Sequence, residues 1–354
     1  MNGNLIKKVF KYGRPFKMEC GAELPELEIC YHISEDYAPH NGKKVIWIAH
    51  ALTANSNPEE WWDTLVGNGK FFDSEKYTIV CANILGSCYG TTGPASVNPE
   101  TGRKYLLEFP HITIRDVVNM MIILRKELKI SNIDLLIGGS VGGFQCLEWA
   151  IIEPDVIENL CACACNARIS AWHTAYNESQ RMCLYADKTF SDAESVAGGK
   201  KGLAAARALS LISYRSSTGY NKTQTDGEGF ADDDIRHLWD RRASSYQRYQ
   251  GEKFVSRFDA YSYLSMLNLA DSHDVGRSRG SVSEALAGIK AKTLVIGIQE
   301  DFLFPVNEPE ETARLIPGAT FRIIHSNFGH DGFLLEYKQL SQVISEVFCL
   351  PLPI

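Results

Sequence analysis

The chain has 354 residues, 45% of them hydrophobic, and a formal net charge of −7 at pH 7. That length and apolar content can fill one large core or two smaller ones. The acidic balance, with no long basic run, sets nucleic acid aside as a partner, and no window reaches membrane-spanning length. The opening MNGNLIKKVFKYGRPFKMEC lacks an apolar run long enough for a signal peptide, so a soluble cytoplasmic protein is expected, with no membrane partner.

In chain order, FKMECGAELPELEICYHI (16–33) reads as two alternating strands joined by a turn containing Gly21 and Pro25. Compact apolar runs follow: VIWIAH (45–50), YTIVCANIL (77–85), DLLIGG (134–139), NLCACAC (159–165), KTLVIGI (292–298) and TFRIIH (320–325). Near-continuous apolar strands suit a sheet covered on both faces. Between them, ITIRDVVNMMIILRKEL (112–128) and EPEETARLI (308–316) have helical periodicity, and FLLEYKQLSQVISEVF (333–348) makes a terminal helix. This alternation predicts an α/β protein with a mostly parallel, doubly wound sheet entered through an antiparallel hairpin.

The rhythm breaks between about 168 and 285. Strands vanish there, and helical segments alternate with polar loops such as STGYNKTQTDGEGFADDD (217–234). Packed windows such as YSYLSMLNLA (261–270) argue against a floppy insertion and for a helical lid over the strand ends. The expected organisation is a core over 1–167, a helical lid over 168–285, and the rest of the core over 286–354.

Ten cysteines are present, three of them at 161, 163 and 165. Alternate strand positions share a face, so these three should line one side of a buried strand. Metal sites draw on separated pairs and usually histidine, so buried thiols are the expectation and no metal is called for.

LLIGGSVGGFQCLEWA (135–150) surrounds Ser140 with glycines between a strand and a helix. Gly138-Gly139-Ser140-Val141-Gly142 fits G-x-S-x-G, in which a serine on a strained turn needs small neighbours two residues away. The G-x-G-x-x-G spacing of a dinucleotide site is missing, as is a phosphate-loop lysine. A serine nucleophile needs a histidine base and an orienting carboxylate, in the order Ser, acid, His on this scaffold. Glu300 and Asp301 follow the strand KTLVIGI, and His330 follows TFRIIH in SNFGHDGF. His325 is a rival to His330, but it closes the strand run. The oxyanion donors should be the amide of Val141 and one in VIWIAHALTANSN (45–57), at Leu52, with His50 shaping that loop.

ANILGSCYGTTGPASVNPETG (82–102), FPHITIRDVV (109–118), GGSVGGFQCLEWA (138–150), FDAYSYL (258–264) and FGHDGFL (328–334) resemble the homoserine O-acetyltransferases, from about Val45 to the C-terminus. The resemblance implies an α/β-hydrolase-fold acyltransferase of methionine synthesis, moving an acetyl group from acetyl-CoA to L-homoserine by a ping-pong route. It implies Ser140 as nucleophile, Asp301 rather than Glu300 as orienting acid, and His330 as base. Arg207 in GLAAARAL would bind the amino-acid carboxylate and Asp331 its amino group, with Thr53 and Tyr214 near the substrate. A cation and an anion a few ångströms apart suit a zwitterion, although Arg207 could be a surface arginine and Asp331 a helix N-cap. CoA enters as cosubstrate, with no other cofactor; its phosphates call for a local basic mouth, with Arg181 and Arg215 as candidates. Relatives are typically homodimers, with lid helices the plausible contact.

Three positions depart from the family's pattern: Ala54 where glycine is common, Val141 where methionine is usual, and Glu300 where a small polar residue is common. Val141 bears on the choice between acetyl and succinyl. The rival functions are succinyl-CoA or L-serine specificity, a plain esterase, and a catalytically silent binding protein. The intact Ser, Asp and His set argues against the last.

Overall fold

The computed structural model describes residues 5–191, 195–227 and 240–353. Among these, the strands are β1 (Leu5–Tyr12), β2 (Phe16–Lys17), β3 (Glu23–Leu24), β4 (Leu27–Ser34), β5 (Lys44–Ala49), β6 (Tyr77–Ala82), β7 (Leu135–Gly139), β8 (Asn159–Cys163), β9 (Lys292–Ile298) and β10 (Thr320–Ile324). Eight of them form one sheet in the order β1-β4-β6-β5-β7-β8-β9-β10. The six strands from β6 to β10 in that order run parallel, and β4 and β1 close one edge antiparallel. β2 and β3 pair only with each other.

The helices are α1 (Pro58–Trp61), α2 (Ile114–Glu127), α3 (Val141–Ile152), α4 (Ala171–Ala186), α5 (Lys188–Ser191), α6 (Lys200–Tyr214), α7 (Ser217–Gln224), α8 (Arg242–Val255), α9 (Ala260–Asp271), α10 (Val282–Ala287), α11 (Asn307–Leu315), α12 (Gly332–Leu335) and α13 (Tyr337–Phe348). α2 starts on a complete capping box, in which the Thr113 side chain accepts from the Asp116 amide while Asp116 accepts from that of Thr113.

The central strands bury side chains on both faces. In β5, Ile46 and Ile48 join one apolar cluster, while Trp47 and Ala49 join the other. β7 repeats this, with Leu135 and Ile137 on one side and Leu136 opposite. A period of two with no polar face is what a sheet between two helical layers demands.

Four expectations need correction. The leading hairpin is β1 with β4, and the 16–33 stretch supplies only the second of its strands plus the β2-β3 ribbon. β1 was missed because it is an edge strand whose lysines, Lys7, Lys8 and Lys11, face outward and break the apolar alternation. The terminal helix is broken at Glu336, where the Trp62 indole N–H takes the Phe333 carbonyl (2.9 Å) that would otherwise continue the helical ladder. Within 217–234, residues 217–224 are helical on a Ser216 cap, and 228–234 lie outside the described residues. Finally, the three thiols do not share a face. β8 ends at Cys163, Ala164 turns with φ 47°, and Cys165 enters the core opposite to that of Cys161 and Cys163.

The helical insertion joins the core through a short two-stranded neck. The Ile169 amide donates to the His273 carbonyl (2.9 Å), and the Val275 amide to that of Ala167 (3.1 Å). Behind the neck, a charge network ties four segments together. Glu148 on α3, with 4% of its side chain exposed, accepts from Arg115 of α2 (2.7 Å) and from both terminal nitrogens of Arg279 (2.6 and 2.8 Å). Glu19, between β2 and β3, accepts from Arg115 (2.7 Å) and Arg277 (2.6 Å). Burial alone would push the Glu148 carboxyl up; the two guanidiniums outweigh it and hold it below the usual range.

Removing that charge leaves two cations facing a neutral group. Glu148→Gln should therefore lose about 3 kcal/mol of stability at pH 7 in urea unfolding. A depressed carboxyl contributes stability that is complete above its unfolded pKa and lost as pH falls through the folded value. The gap between wild type and variant should accordingly close on acidification.

Candidate active site

Ser140 stands between β7 and α3 with φ 57° and ψ −127°, a region that L-residues rarely occupy. The neighbouring glycines leave room for nothing larger. A Cβ on Gly138 would lie 2.5 Å from the Gly142 backbone, and one on Gly142 would lie 2.1 Å from the Ala49 carbonyl oxygen. Gly143 packs against Cys165, whose sulfur would be 2.4 Å from an added Cβ. The Ser140 amide donates to the Cys163 carbonyl (2.9 Å), pinning the bend to the next strand. The glycines therefore serve close backbone packing, as the elbow reading requires.

His330 and Asp301 meet behind this serine. Asp301 Oδ2 lies 2.7 Å from His330 Nδ1, and both side chains are buried. Asp301 Oδ1 accepts the Leu303 and Phe304 amides (2.8 and 2.9 Å), which fixes the carboxylate's orientation. With Nδ1 committed to Asp301, Nε2 is left to face the cavity that Ser140 and His330 both line. Burial pushes the His330 imidazole down, but the charge and hydrogen bond of Asp301, with a smaller push from Asp331, raise it above the ordinary histidine value.

Glu300 is directed elsewhere. Its carboxylate accepts the Ser326 amide (2.7 Å) and pairs with exposed His325 (3.4 Å), so both rivals tie the loop after β9 to the loop after β10.

The loop after β5 is held by His50. Its Nε2 accepts the Ile84 amide (3.0 Å), so the proton sits on Nδ1 and is donated to the Ala51 carbonyl (2.8 Å). Burial pushes this imidazole down to about 4, so it stays neutral. Gln145 of α3 donates to the His50 carbonyl (3.1 Å), tying the loop to the helix that follows Ser140. Leu52 and Val141 both line the cavity, and among the described residues neither amide donates to a protein acceptor. Ala54, one of the departures, closes a turn onto the Ala51 carbonyl (3.1 Å).

The cavity has a volume of about 480 Å³. Arg207, Asp331, Thr53 and Tyr214 all line it. Arg207 has no carboxylate partner among the described residues; its guanidinium lies over Tyr214 (5.4 Å) and Phe254 (5.0 Å). Asp331 makes no side-chain cap to α12, which removes the N-cap alternative. Its carboxylate instead meets Arg215 Nη2 at 3.3 Å. Burial, only partly offset by Arg215, His330 and Arg207, leaves it raised above its ordinary value.

The two proposed mouth cations are occupied. Arg181 pairs with Glu178 and Asp271 (both 2.7 Å) and Arg215 with Asp331, and neither lines the cavity. The cation at the rim is Arg257, which donates to the Thr53 carbonyl (2.7 Å) and the Tyr89 hydroxyl (2.5 Å). Sequence reasoning missed it, and also the stripe His173, Asn177 and Gln180 on one face of α4. Polar residues at i, i+4 and i+7 on the buried side of an amphipathic helix were the available signal. His173 packs on Phe304 (4.8 Å), has no partner for its buried Nδ1, and is pushed down to about 3 by burial.

Comparison with known proteins agrees with this geometry. The α/β-hydrolase fold family matches residues 44–337. The homoserine O-acetyltransferase of Cyclobacterium marinum is 41% identical over 344 residues, covering 97% of this chain and 95% of that protein. The crystal structure of homoserine O-acetyltransferase from Bacillus anthracis superposes with a TM-score of 0.87 at 22% identity, over 97% of each chain. An esterase structure superposes with a TM-score of 0.86 at 24% identity, over 97% of this chain and all of the other. At those identities the two structures speak to the fold alone.

If Ser140 is activated by His330, its phosphonylation by an active-site-directed phosphonate should require neutral His330. The rate should fall as pH drops through the raised histidine value. Replacing Asp331 by Asn removes one charge that raises His330, so the acidic limb of that profile should move to lower pH. An unmoved limb would separate Asp331 electrostatically from the base.

Proposed function

Because the chain belongs to the homoserine O-acetyltransferase family of α/β hydrolases, we propose that it moves an acetyl group from acetyl-CoA to the hydroxyl of L-homoserine, a step of methionine biosynthesis. The observation that carries this reading is the pairing, in one cavity, of a Ser-His-Asp set with a carboxylate-free Arg207 and an aspartate, Asp331. An esterase needs the first group and has no use for the second.

In the first half-reaction His330 Nε2 takes the Ser140 proton as the hydroxyl oxygen attacks the thioester carbonyl. The amides of Leu52 and Val141 bind the oxyanion, each contributing roughly 3 kcal/mol to the developing charge. The tetrahedral intermediate collapses with loss of the CoA thiolate, which takes the proton from His330, and Ser140 is left acetylated. Homoserine then binds with its carboxylate on Arg207 and its ammonium on Asp331, beside Thr53 and Tyr214. His330 removes the acceptor's hydroxyl proton as that oxygen attacks the acetyl carbonyl, and the proton returns to Ser140 on collapse.

Transfer must outrun hydrolysis. Orienting the acceptor is worth an effective molarity on the order of 10⁵ M, provided water is held off the acyl group. The helical insertion supplies His173, Asn177, Gln180, Arg207 and Tyr214 to the cavity wall, which supports its reading as a lid over the core. Val141 lines the cavity next to Ser140, where its side-chain volume bears on the choice between acetyl and succinyl. The rest of the proposal is a homodimer in the cytoplasm. Exposed Met182 and Tyr185 on α4, Ile212 on α6 and Tyr249 on α8 give the insertion an apolar outer face for a second copy.

The purified protein should release thiol from acetyl-CoA in proportion to homoserine, and Ser140→Ala should abolish release. The acetyl-enzyme should persist without homoserine; equal hydrolysis with and without the acceptor would make the protein an esterase. Arg207→Ala should raise the homoserine KM at least about tenfold while sparing acylation by acetyl-CoA.

A further inference from the structure

The carboxylate assigned to the acceptor's ammonium group already has a cation beside it. Arg215 follows the last turn of α6 as its C-cap, with extended backbone, and its Nη2 reaches Asp331 Oδ2 at 3.3 Å. Asp331 lines the cavity and Arg215 does not, so the guanidinium approaches the carboxylate from behind. Only this one contact is made. Among the described residues the other Asp331 oxygen has no partner, and Arg215 Nε is buried without one.

The pair is held rigidly on both sides. The Arg215 guanidinium lies over the Phe328 ring, 5.6 Å from its centroid. Ser216, the next residue, donates its hydroxyl to the Asn327 carbonyl and caps α7 by accepting the Gly219 amide (3.0 Å). On the other side, Gly329 has φ +60°, and a Cβ there would lie 2.7 Å from the Ser216 amide nitrogen and 2.9 Å from the Arg215 carbonyl carbon. The loop carrying His330 and Asp331 is thus pressed against the backbone of residues 215–216. A glycine is required because that contact is backbone on backbone in the left-handed region.

We propose that Arg215 is a positioning residue for the acceptor: through its ion pair it keeps Asp331 charged and aimed into the cavity, without itself touching homoserine. This rests on the acetyl-transfer reading above and adds to it a residue that the acceptor does not contact. The charges around Asp331 support it. Burial works to protonate Asp331, nearby Asp301 adds to that, and Arg215, His330 and Arg207 oppose it, Arg215 most strongly. Tyr214 also faces Asp331 and, being neutral below its raised pKa, contributes no charge near neutrality. Of the cations, Arg207 is assigned to the acceptor's carboxylate and His330 alternates between charged and neutral during turnover. Arg215 is the one whose charge is constant and free for this task.

Arg215→Gln should raise the homoserine KM roughly tenfold at neutral pH, as expected for a half-buried carboxylate that has lost its cation. The acylation burst with acetyl-CoA should keep its rate within about twofold, since Arg215 lies outside the cavity. Without Arg215 the Asp331 carboxyl titrates higher, so the rise in homoserine KM on acidification should begin at higher pH than in wild type. Arg215→Lys should recover much of the KM, because it restores the charge.

The double variant settles whether the effect runs through Asp331. In an Asp331→Asn background, Arg215→Gln should change the homoserine KM little further. An unchanged KM in the single variant, full additivity in the double, or burst and KM lost together would each overturn the proposal. Failure of the underlying reading looks different: wild-type protein would then release no thiol from acetyl-CoA in response to homoserine, whatever residue stands at 215.

Discussion

The site depends on one backbone contact, that of Gly142 against the Ala49 carbonyl. It sets the start of α3 directly on the end of β5, with no side chain between. Two consequences follow from so short a distance. Ser140, two residues before Gly142, is forced into its unusual φ and ψ at the carboxyl end of β7, a central strand. The loop beginning at His50 is likewise brought beside the first turn of the helix, where Gln145 ties the two together. Ser140 and both candidate oxyanion amides are therefore positioned by a single steric fit. A Cβ at 142 would displace all three at once, which is a stronger constraint than any one hydrogen bond in the site.

Charge is rationed around that fit. Three buried histidines near the site, His50, His173 and His273, are all pushed down by burial, to about 4, 3 and 4, and so are neutral near pH 7. Of these buried histidines and His330, His330 is the one with a carboxylate on its ring nitrogen, and the one that is raised. The arginines divide in the same way. Arg115, Arg279 and Arg181 are consumed by carboxylates in structural pairs, and Arg215 is given to Asp331. In the cavity, Arg207 is held by two aromatic faces and, among the described residues, by no acid, whereas Arg257 is taken up by the Thr53 carbonyl and the Tyr89 hydroxyl. Aromatic rings keep a guanidinium in place while leaving its in-plane donors open, which is the arrangement a carboxylate ligand needs.

How much of this was legible depended on how local the signal was. β9 and the run of Ile and Val in β5 and β7 announced themselves because burial on both faces leaves no polar residue to confuse the reading. The elbow and the order of Asp301 and His330 were readable because a strained turn constrains residue type at fixed spacing. β1 was hidden because an edge strand must show lysines to solvent. The break in the terminal helix was hidden because its cause, the Trp62 indole, lies 271 residues away in sequence. Arg257 gave no local sign, and Arg215 was legible only as a candidate contact for CoA, since the partner of each lies on a distant loop. LGSCYGTTGP, which did most to suggest the family, turns out to be largely structural: Thr91 and Thr92 accept the Cys30 and Glu28 amides (3.0 and 2.8 Å), pinning the loop to β4, and Tyr89 alone reaches the cavity.

The same fold superposes on an esterase as well as on a homoserine O-acetyltransferase, so the fold by itself does not distinguish hydrolysis from transfer. What can distinguish them lies in the insertion and at its contacts. Arg207 and Tyr214 belong to α6, the α4 stripe faces the same space, and Arg257 joins the insertion to the loop that carries Leu52. These residues share the cavity with Ser140 because the helical stretch is seated on the core. Two clamps seat it: Arg257 on the Thr53 carbonyl, and residues 215–216 on the His330 loop through Gly329. Both clamps end on backbone atoms of the catalytic loops and not on remote surface. The cavity wall built by α4 and α6 is thus mechanically joined to the loops that carry Leu52 and His330, and a shift of the helical stretch would disturb both.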